Sequence, residues 1–248
     1  MQRYFLNNDQ FNEDIVQITG DDAHHISRVM RQSEGDEIIV CNEDKQSFIV
    51  KIIKVDAQVI VCQIVSTIEK NAELPVNVSI AQGIPKGDKF EWVIQKGTEC
   101  GAFEFVPVSM ERSVVKIDQK KEKKKLERWS KIAKEAAEQS HRSVVPTISE
   151  VQTFKQFIQY AKQFDICLFA YEETAKAGEL FQLKQTLSQI HTGAKVLVLV
   201  GPEGGISEKE VTTLLESGFK ACALGPRILR TETAPIYILS AISYELEL

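Results

Sequence analysis

Two glycine-rich stretches near the end of the chain hold the residues best suited to chemistry. The first, GPEGGISEKEV (201–211), follows an apolar run and carries an acid, Glu203, inside the loop. It is not a G-x-G-x-x-G pattern, it lacks the Lys and Ser/Thr of a Walker loop, and its acid would repel a phosphate. Gly201, Gly204 and Gly205 would instead allow close approach by a neutral or cationic ligand, or by another backbone.

The helix that follows this loop has a well-marked start. Ser207 and Glu210 have the spacing of a capping box, in which each side chain binds the other residue's amide. Ile206 and Val211 occupy the positions of a hydrophobic staple. The spacing therefore predicts a helix that begins at Ser207, two residues past the last glycine.

The second stretch, KACALGPRILRTETAP (220–235), repeats the order of strand, glycine turn and helix. Its turn contains Gly225, and Thr233 is the predicted N-cap of the last helix. Pro235 would then lie in the first turn, where its missing N–H costs nothing.

A third predicted strand end, CLFAYEE, supplies Tyr171, Glu172 and Glu173. Ligands bind outside the carboxyl ends of strands in open α/β sheets, so three such ends within the last 85 residues predict one site. Arg227 and Arg230 are expected at the same opening. Either arginine could instead pair with a loop acid, Glu203 or Glu232, for structure alone.

The elements that must position these residues change character along the chain. Up to about residue 70, five short alternating or β-branched runs and one helix, capped by Asp21 or Asp22 and stopped by Gly35, predict a small β-barrel. From VNVSIAQ onward, strands alternate with helices, which predicts a parallel sheet covered on both faces. The boundary is expected near residues 71–75, giving domains 1–72 and 73–248.

Composition narrows the class of protein. The net charge is −5, but residues 112–142 contain 11 Lys or Arg against 5 Asp or Glu. Such a basic segment suits nucleic acid, although a solvated helix face has the same pattern. The five scattered cysteines predict reduced thiols, with no disulfide framework and no metal site. The first residues lack a signal peptide's charge and apolar run, so a cytoplasmic protein is expected.

The paired motifs GPEGG and LRTETA, with RYF, HHISRVMR, ERSV and EAAEQSHR, resemble the SPOUT methyltransferases over nearly the whole chain. The resemblance is closest to the RsmE type, which methylates N3 of a uridine in small-subunit ribosomal RNA. It implies a C-terminal trefoil-knotted α/β domain, an N-terminal PUA-like barrel that grips RNA, and a homodimer formed through the last helix. The substrate would be ribosomal RNA or the small ribosomal subunit.

The resemblance also implies S-adenosylmethionine as the cofactor. The residues expected to hold it are Leu168, Tyr171, Leu199, Val200, Gly201, Glu203, Gly204, Leu224, Gly225, Ile228, Leu229, Thr233 and Ala234. Arg230 would stabilise the anion that develops on the uracil oxygens. Glu232 would either position that arginine or accept the N3 proton, and these two roles stay open.

The residues expected to contact RNA lie in both regions of the chain: Arg28, Arg31, Lys86, Lys89, Arg112, Gln139 and Arg142. The lysines within 120–125 would add salt-sensitive attraction to phosphates. His24 and His25 could stack on a base, although a structural role is the commoner use of a histidine. The first 70 residues hold 7 Lys or Arg against 12 Asp or Glu, so RNA contact there must be confined to one strip.

Two other functions are compatible with parts of the sequence. A non-catalytic RNA-binding or ribosome-assembly protein could keep the knot without the chemistry, although the intact GPEGG and LRTETA loops count against it. A doubly wound enzyme with a nucleotide cofactor would need a glycine-rich first loop with an acid some twenty residues on, which the loop near residues 83–87 does not supply.

Overall fold

The computed structural model describes residues 1–56, 58–69, 72–115, 119–173 and 182–248. Parts of three predicted features lie outside the described residues. They are residue 71 of the predicted boundary, residues 180–181 of a predicted helix, and the side chains of Lys120 and Lys121. The chain forms two compact units, residues 1–73 with 137–145, and residues 74–136 with 146–248. Nothing in the sequence indicated that residues 137–145 belong with the first unit.

Six strands form the sheet of the first unit, in the order β1-β4-β5-β6-β3-β2. Only β1 and β4 pair in parallel. Alternating residues such as Val16, Ile18, Val50 and Ile52 point into an apolar core, as the period-two pattern predicts. The strands are β1 Arg3–Phe5, β2 Phe11–Asn12, β3 Ile15–Thr19, β4 Glu37–Cys41, β5 Ser47–Val55 and β6 Val59–Ile68.

The helix of the first unit is shorter than predicted. Helix α1 spans Gly20–His24 and continues as a π-helical turn over His25–Val29. Thr19 is the N-cap, and Asp21 and Asp22 lie in the first turn, so the predicted N-cap position was wrong. Arg31 has a φ of 53°, a left-handed conformation that ends the helix before Gly35.

The second unit contains a wholly parallel sheet in the order β10-β8-β7-β12-β11-β13, with β9 also paired to β8. Its central strands are apolar and buried, as expected for strands covered on both faces. The strands are β7 Asn77–Gly83, β8 Glu104–Ser109, β9 Thr147–Ile148, β10 Gln152–Thr153, β11 Ile166–Ala170, β12 Lys195–Val200 and β13 Lys220–Cys222.

In the described part of the chain, six further α-helices follow or link these strands: α2 Lys89–Glu99, α3 Gln119–Gln139, α4 Phe154–Tyr160, α5 Gln182–Leu187, α6 Glu208–Glu216 and α7 Thr233–Glu247. Helix α2 packs closely on the sheet because Gly97 has no side chain. A Cβ there would lie 2.7 Å from the Phe105 ring. Trp129 of α3 is buried against Phe90 of α2, with ring centroids 4.7 Å apart. Within the described residues, no helix is long and apolar enough to cross a membrane.

All five cysteines are free thiols, and three of them are buried. Burial raises the pKa of the Cys62 and Cys222 thiols to about 12. Such thiols stay protonated near neutral pH, so they are poor nucleophiles and metal ligands. Among the described residues, no group of three or more His, Cys, Asp or Glu side chains is arranged to hold a metal ion.

Candidate active site

The glycine loop after β12 is fixed at its far end by the predicted capping box. The Ser207 hydroxyl accepts the Glu210 amide at 3.4 Å, and the Glu210 carboxylate accepts the Ser207 amide at 3.0 Å. Glu210 is only 5% exposed and also accepts the Glu111 amide at 2.8 Å. The loop after β8 is therefore attached to the start of α6.

Small residues in the glycine loop are required by close backbone contacts. A Cβ on Gly201 would lie 2.8 Å from Ile206, and one on Gly204 would lie 2.9 Å from the Arg112 carbonyl oxygen. Gly205 has a φ of 74°, in the left-handed region. Of the two possibilities that the sequence left open, another backbone therefore fills the space at Gly204.

The second glycine stretch is attached to the first by one hydroxyl. Thr231 Oγ1 donates to the Gly201 carbonyl at 2.6 Å and accepts from Gln82 Nε2 at 2.8 Å. Gln82 is fully buried at the end of β7. These hydrogen bonds connect the end of β7 with the loops that follow β12 and β13.

The start of α7 differs from the prediction. Glu232, not Thr233, is the N-cap, and it makes no side-chain cap. The Arg230 carbonyl instead accepts the amides of Thr233 and Ala234 at 2.9 and 3.1 Å, so a backbone turn satisfies them without a cap. Pro235 lies in the first turn, as predicted.

The carboxyl ends of β11, β12 and β13 open into one cleft of about 1080 Å³. The structure thus brings together the three strand ends that the sequence placed at a single site. The predicted site residues that line the cleft are Tyr171, Val200, Gly201, Glu203, Gly204, Leu224, Gly225, Ile228, Leu229, Arg230, Glu232 and Ala234. Lys89 and Arg112, predicted to contact RNA, also line it.

Three predicted cofactor residues lie outside the lining of this cleft. The Leu168 and Leu199 side chains are fully buried in the sheet, so only their backbones remain available for the role predicted for them. Thr233 is exposed in the first turn of α7.

A lysine, not an arginine, pairs with the two loop acids Glu203 and Glu232. Lys89 Nζ lies 2.9 Å from Glu203 Oε1 and 3.6 Å from Glu232 Oε2. Burial acts to raise the pKa of Glu203, but hydrogen bonds from Lys89 and from backbone amides outweigh it and hold that pKa below its usual value. The hydrogen bond to Glu203 raises the pKa of Lys89.

Arg227 and Arg230 are exposed and line the cleft, and neither forms an ion pair with any residue that the structure describes. The suggestion that one of them pairs with Glu203 or Glu232 was wrong, because Lys89 occupies that place. Both guanidinium groups are therefore available to a ligand.

The residues predicted to contact RNA have different surroundings. Arg28, Arg31 and Gln139 are exposed in the first unit, and Lys86 is exposed in the second. Arg112 is exposed, and its Nη1 donates to the Gly204 carbonyl at 3.3 Å.

Arg142 does not fit its predicted role. It is 2% exposed, and its guanidinium is paired with Glu73, which also accepts the Ser143 amide at 2.8 Å. The backbone carbonyl of Arg142 accepts from Arg3 at 2.8 Å. A guanidinium enclosed in this way cannot reach a phosphate, so the geometry favours a structural role.

The sequence alone did not indicate a role for Gln82 and Thr231, whose hydrogen bonds hold the cleft together. The sequence did contain one indication for Gln82: it is a polar residue near the end of an apolar strand, in AQGIP. A buried amide there needs hydrogen-bond partners. Thr231 lies inside the quoted LRTETA motif, but its partner Gly201 is 30 residues away.

Two family models match this chain. One, described as an RNA methyltransferase domain, matches residues 72–243, and another, described as an RNA methyltransferase PUA domain, matches residues 18–65. These matches place the chain in the RNA methyltransferase class. They also confirm the predicted combination of a parallel α/β domain with a PUA-like domain.

Individual relatives are more specific. The chain is 51% identical over 251 residues to ribosomal RNA small subunit methyltransferase E of Bacillus subtilis, covering 100% of this chain and 98% of the relative. A structure of the protein of the same name from Neisseria gonorrhoeae, bound to S-adenosyl methionine, superposes with a TM-score of 0.85 at 27% identity. The match covers 98% of this chain and 97% of that one. A structure of a putative methyltransferase from Legionella pneumophila, in complex with SAM, superposes with a TM-score of 0.84 at 30% sequence identity. The match covers 98% of this chain and 96% of that one. The chain belongs to the ribosomal RNA small subunit methyltransferase E family, which confirms the resemblance.

Proposed function

We propose that this chain transfers a methyl group from S-adenosylmethionine to N3 of a uridine in 16S ribosomal RNA. The cleft at the carboxyl ends of β11 to β13 carries the proposal, in a chain 51% identical over its full length to a small-subunit methyltransferase. The choice of uridine N3 depends on the GPEGG and LRTETA motifs and their resemblance to the RsmE pattern.

The residues of the cleft fit this cofactor better than a phosphate. Its charged side chains are nearly balanced: Lys89, Arg112, Arg227 and Arg230 against Glu172, Glu173, Glu203, Glu208 and Glu232. Ile228 is 74% exposed at the rim and offers an apolar surface to a base. Backbone groups at Gly201 and Gly225 would hold the cofactor, which supplies an activated methyl group when bound.

The chain's own residues would then prepare the acceptor. Uracil N3 carries a proton that must leave before the nitrogen can accept a methyl group. The Arg230 guanidinium, which is exposed and lines the cleft, would stabilise the negative charge that develops on the uracil oxygens. Glu232 lines the same cleft, and we assign it the proton from N3.

The test uses small ribosomal subunits from cells that lack the protein, with mass-spectrometric mapping of the methylated nucleotide. Wild-type protein should methylate one uridine at N3, and Arg230→Ala should lower the rate about 10²- to 10³-fold. Cofactor affinity, measured by calorimetry, should change little in the variant. Full activity of Arg230→Ala with intact cofactor binding would refute the arginine's role, and absence of methyl transfer by the wild type would favour the non-catalytic alternative.

We also propose that the active species is a homodimer formed through α7, with a trefoil knot in the second unit. Helix α7 buries Ile238 and Ile242 within the chain, yet Tyr237 and Tyr244 remain 41% and 71% exposed. Apolar or aromatic surface on more than one face of a helix favours a second packing partner. Sedimentation equilibrium should give twice the chain mass, and Tyr244→Lys should lower it.

A further inference from the structure

Lys89 contacts acids from two different loops. It is the first residue of α2, and its side chain is 37% exposed. Its ammonium lies 2.9 Å from Glu203 of the first glycine stretch and 3.6 Å from Glu232 of the second. One cation therefore connects the acids of both loops that form the cleft.

The Glu232 carboxylate depends on this cation. Its Oε2 atom is buried and has no hydrogen-bond partner among the described residues. An enclosed carboxylate oxygen is costly unless a positive charge compensates it. Lys89 forms an ion pair with this carboxylate. The shorter contact of the same lysine to Glu203 holds the lysine in place.

These contacts distinguish Lys89 from Lys86, although both were predicted to contact RNA. The Lys86 side chain is exposed, and only its backbone amide binds Glu203, at 3.1 Å. Its ammonium is thus available to a phosphate. A phosphate at Lys89 would have to approach two carboxylates, which repel it.

We propose that Lys89 is a positioning residue for the methyl-transfer reaction, holding the Glu232 side chain in place in the cleft, and that it is not an RNA contact. This role rests on the function proposed above. Loss of the lysine should therefore slow the chemical step and leave RNA affinity unchanged.

The test compares Lys89→Met with Lys96→Met, a matched loss of charge on the same helix. Lys96 pairs with Glu99 at 2.8 Å and does not line the cleft. In Lys89→Met, kcat should fall about tenfold to a hundredfold, because small displacements of reacting groups have effects of this size. The KM for small subunits and its salt dependence should match those of Lys96→Met, and Lys89→Arg, which keeps the charge, should recover most of the loss.

RNA binding, measured by fluorescence anisotropy, provides a readout independent of activity. Glu203→Gln should leave RNA affinity unchanged if Lys89 is a positioning residue. Tighter RNA binding in Glu203→Gln would overturn the proposal. A raised KM in Lys89→Met, with the slope of its salt dependence lowered by about one, would overturn it as well. If wild-type protein transfers no methyl group, the proposed function itself fails. If it does and Lys89→Met behaves like Lys96→Met, only the role of Lys89 fails.

Discussion

The Thr231 hydroxyl joins the two glycine stretches directly by its hydrogen bond to the Gly201 carbonyl, so its removal should weaken the cleft. Thr231→Val has nearly the same shape but can neither donate to the Gly201 carbonyl nor accept from Gln82. Gln82 Nε2 would keep its longer contacts to the carbonyls of Gly83, Gly201 and Val200, at 3.1, 3.3 and 3.5 Å.

The size of the effect follows from these contacts. Each lost hydrogen bond contributes about 1 kcal/mol net, and leaving polar groups unpaired adds to this, so the free energy of unfolding should fall by about 2–3 kcal/mol. For a chain of this size the melting temperature should drop by about 4–12 °C. S-adenosylmethionine affinity should fall as well, because the two loops are no longer held together.

Urea unfolding and calorimetric titration would measure both effects. Thr231→Ser is the control, because it keeps the hydroxyl and loses one half-buried methyl group, which should cost less than about 1 kcal/mol. A stability of Thr231→Val within about 0.5 kcal/mol of Thr231→Ser would refute the reasoning.

Two further predictions concern the first glycine stretch. Gly204→Ala would place a Cβ 2.9 Å from the Arg112 carbonyl oxygen, so the loop must shift. The free energy of unfolding, measured by thermal unfolding, should fall by about 1–3 kcal/mol. The affinity for the cofactor, measured by calorimetry, should be roughly tenfold weaker. Because the fold lowers the pKa of Glu203 below 4.5, its ion pair adds stability above that value and loses it as the pH falls through the folded-state pKa. Urea unfolding of Glu203→Gln should thus differ from wild type by less than about 1 kcal/mol at pH 7, and this difference should shrink as the pH falls through the folded-state pKa.

Simple observations would contradict these two predictions. Wild-type melting temperature and cofactor affinity in Gly204→Ala would mean that the loop accommodates a side chain without shifting. A stability difference between Glu203→Gln and wild type that stays constant from pH 7 to pH 2 would mean that the Glu203 carboxylate is not held by its ion pair.

Local signals in the sequence predicted the elements around the cleft well. The apolar run of β12 and the capping box of Ser207 and Glu210 depend on neighbours within a few residues, so their pattern is visible in the sequence. The start of α7 was misjudged by one residue because a backbone turn at Arg230 replaced the side-chain cap. The π-helical turn of His25–Val29 has no comparable pattern and was missed.

The partners of charged side chains could not be predicted in the same way. Lys89 and Glu203 are 114 residues apart, and Arg142 and Glu73 are 69 apart. Residue types favour such pairs, but only the folded chain selects one partner among many. For this reason the sequence indicated that the three strand ends share one cleft, but it did not indicate that Lys89 pairs with Glu203 and Glu232 there.

The inclusion of residues 137–145 in the first unit has a consequence for biosynthesis. Glu73 must wait for Arg142, 69 residues later, and Arg3 binds the carbonyl of that same arginine. At typical translation speeds of about 5–20 residues per second, the interval is roughly 3–14 s. The nascent N-terminal sheet therefore spends several seconds outside the ribosome before the segment that carries Arg142 arrives.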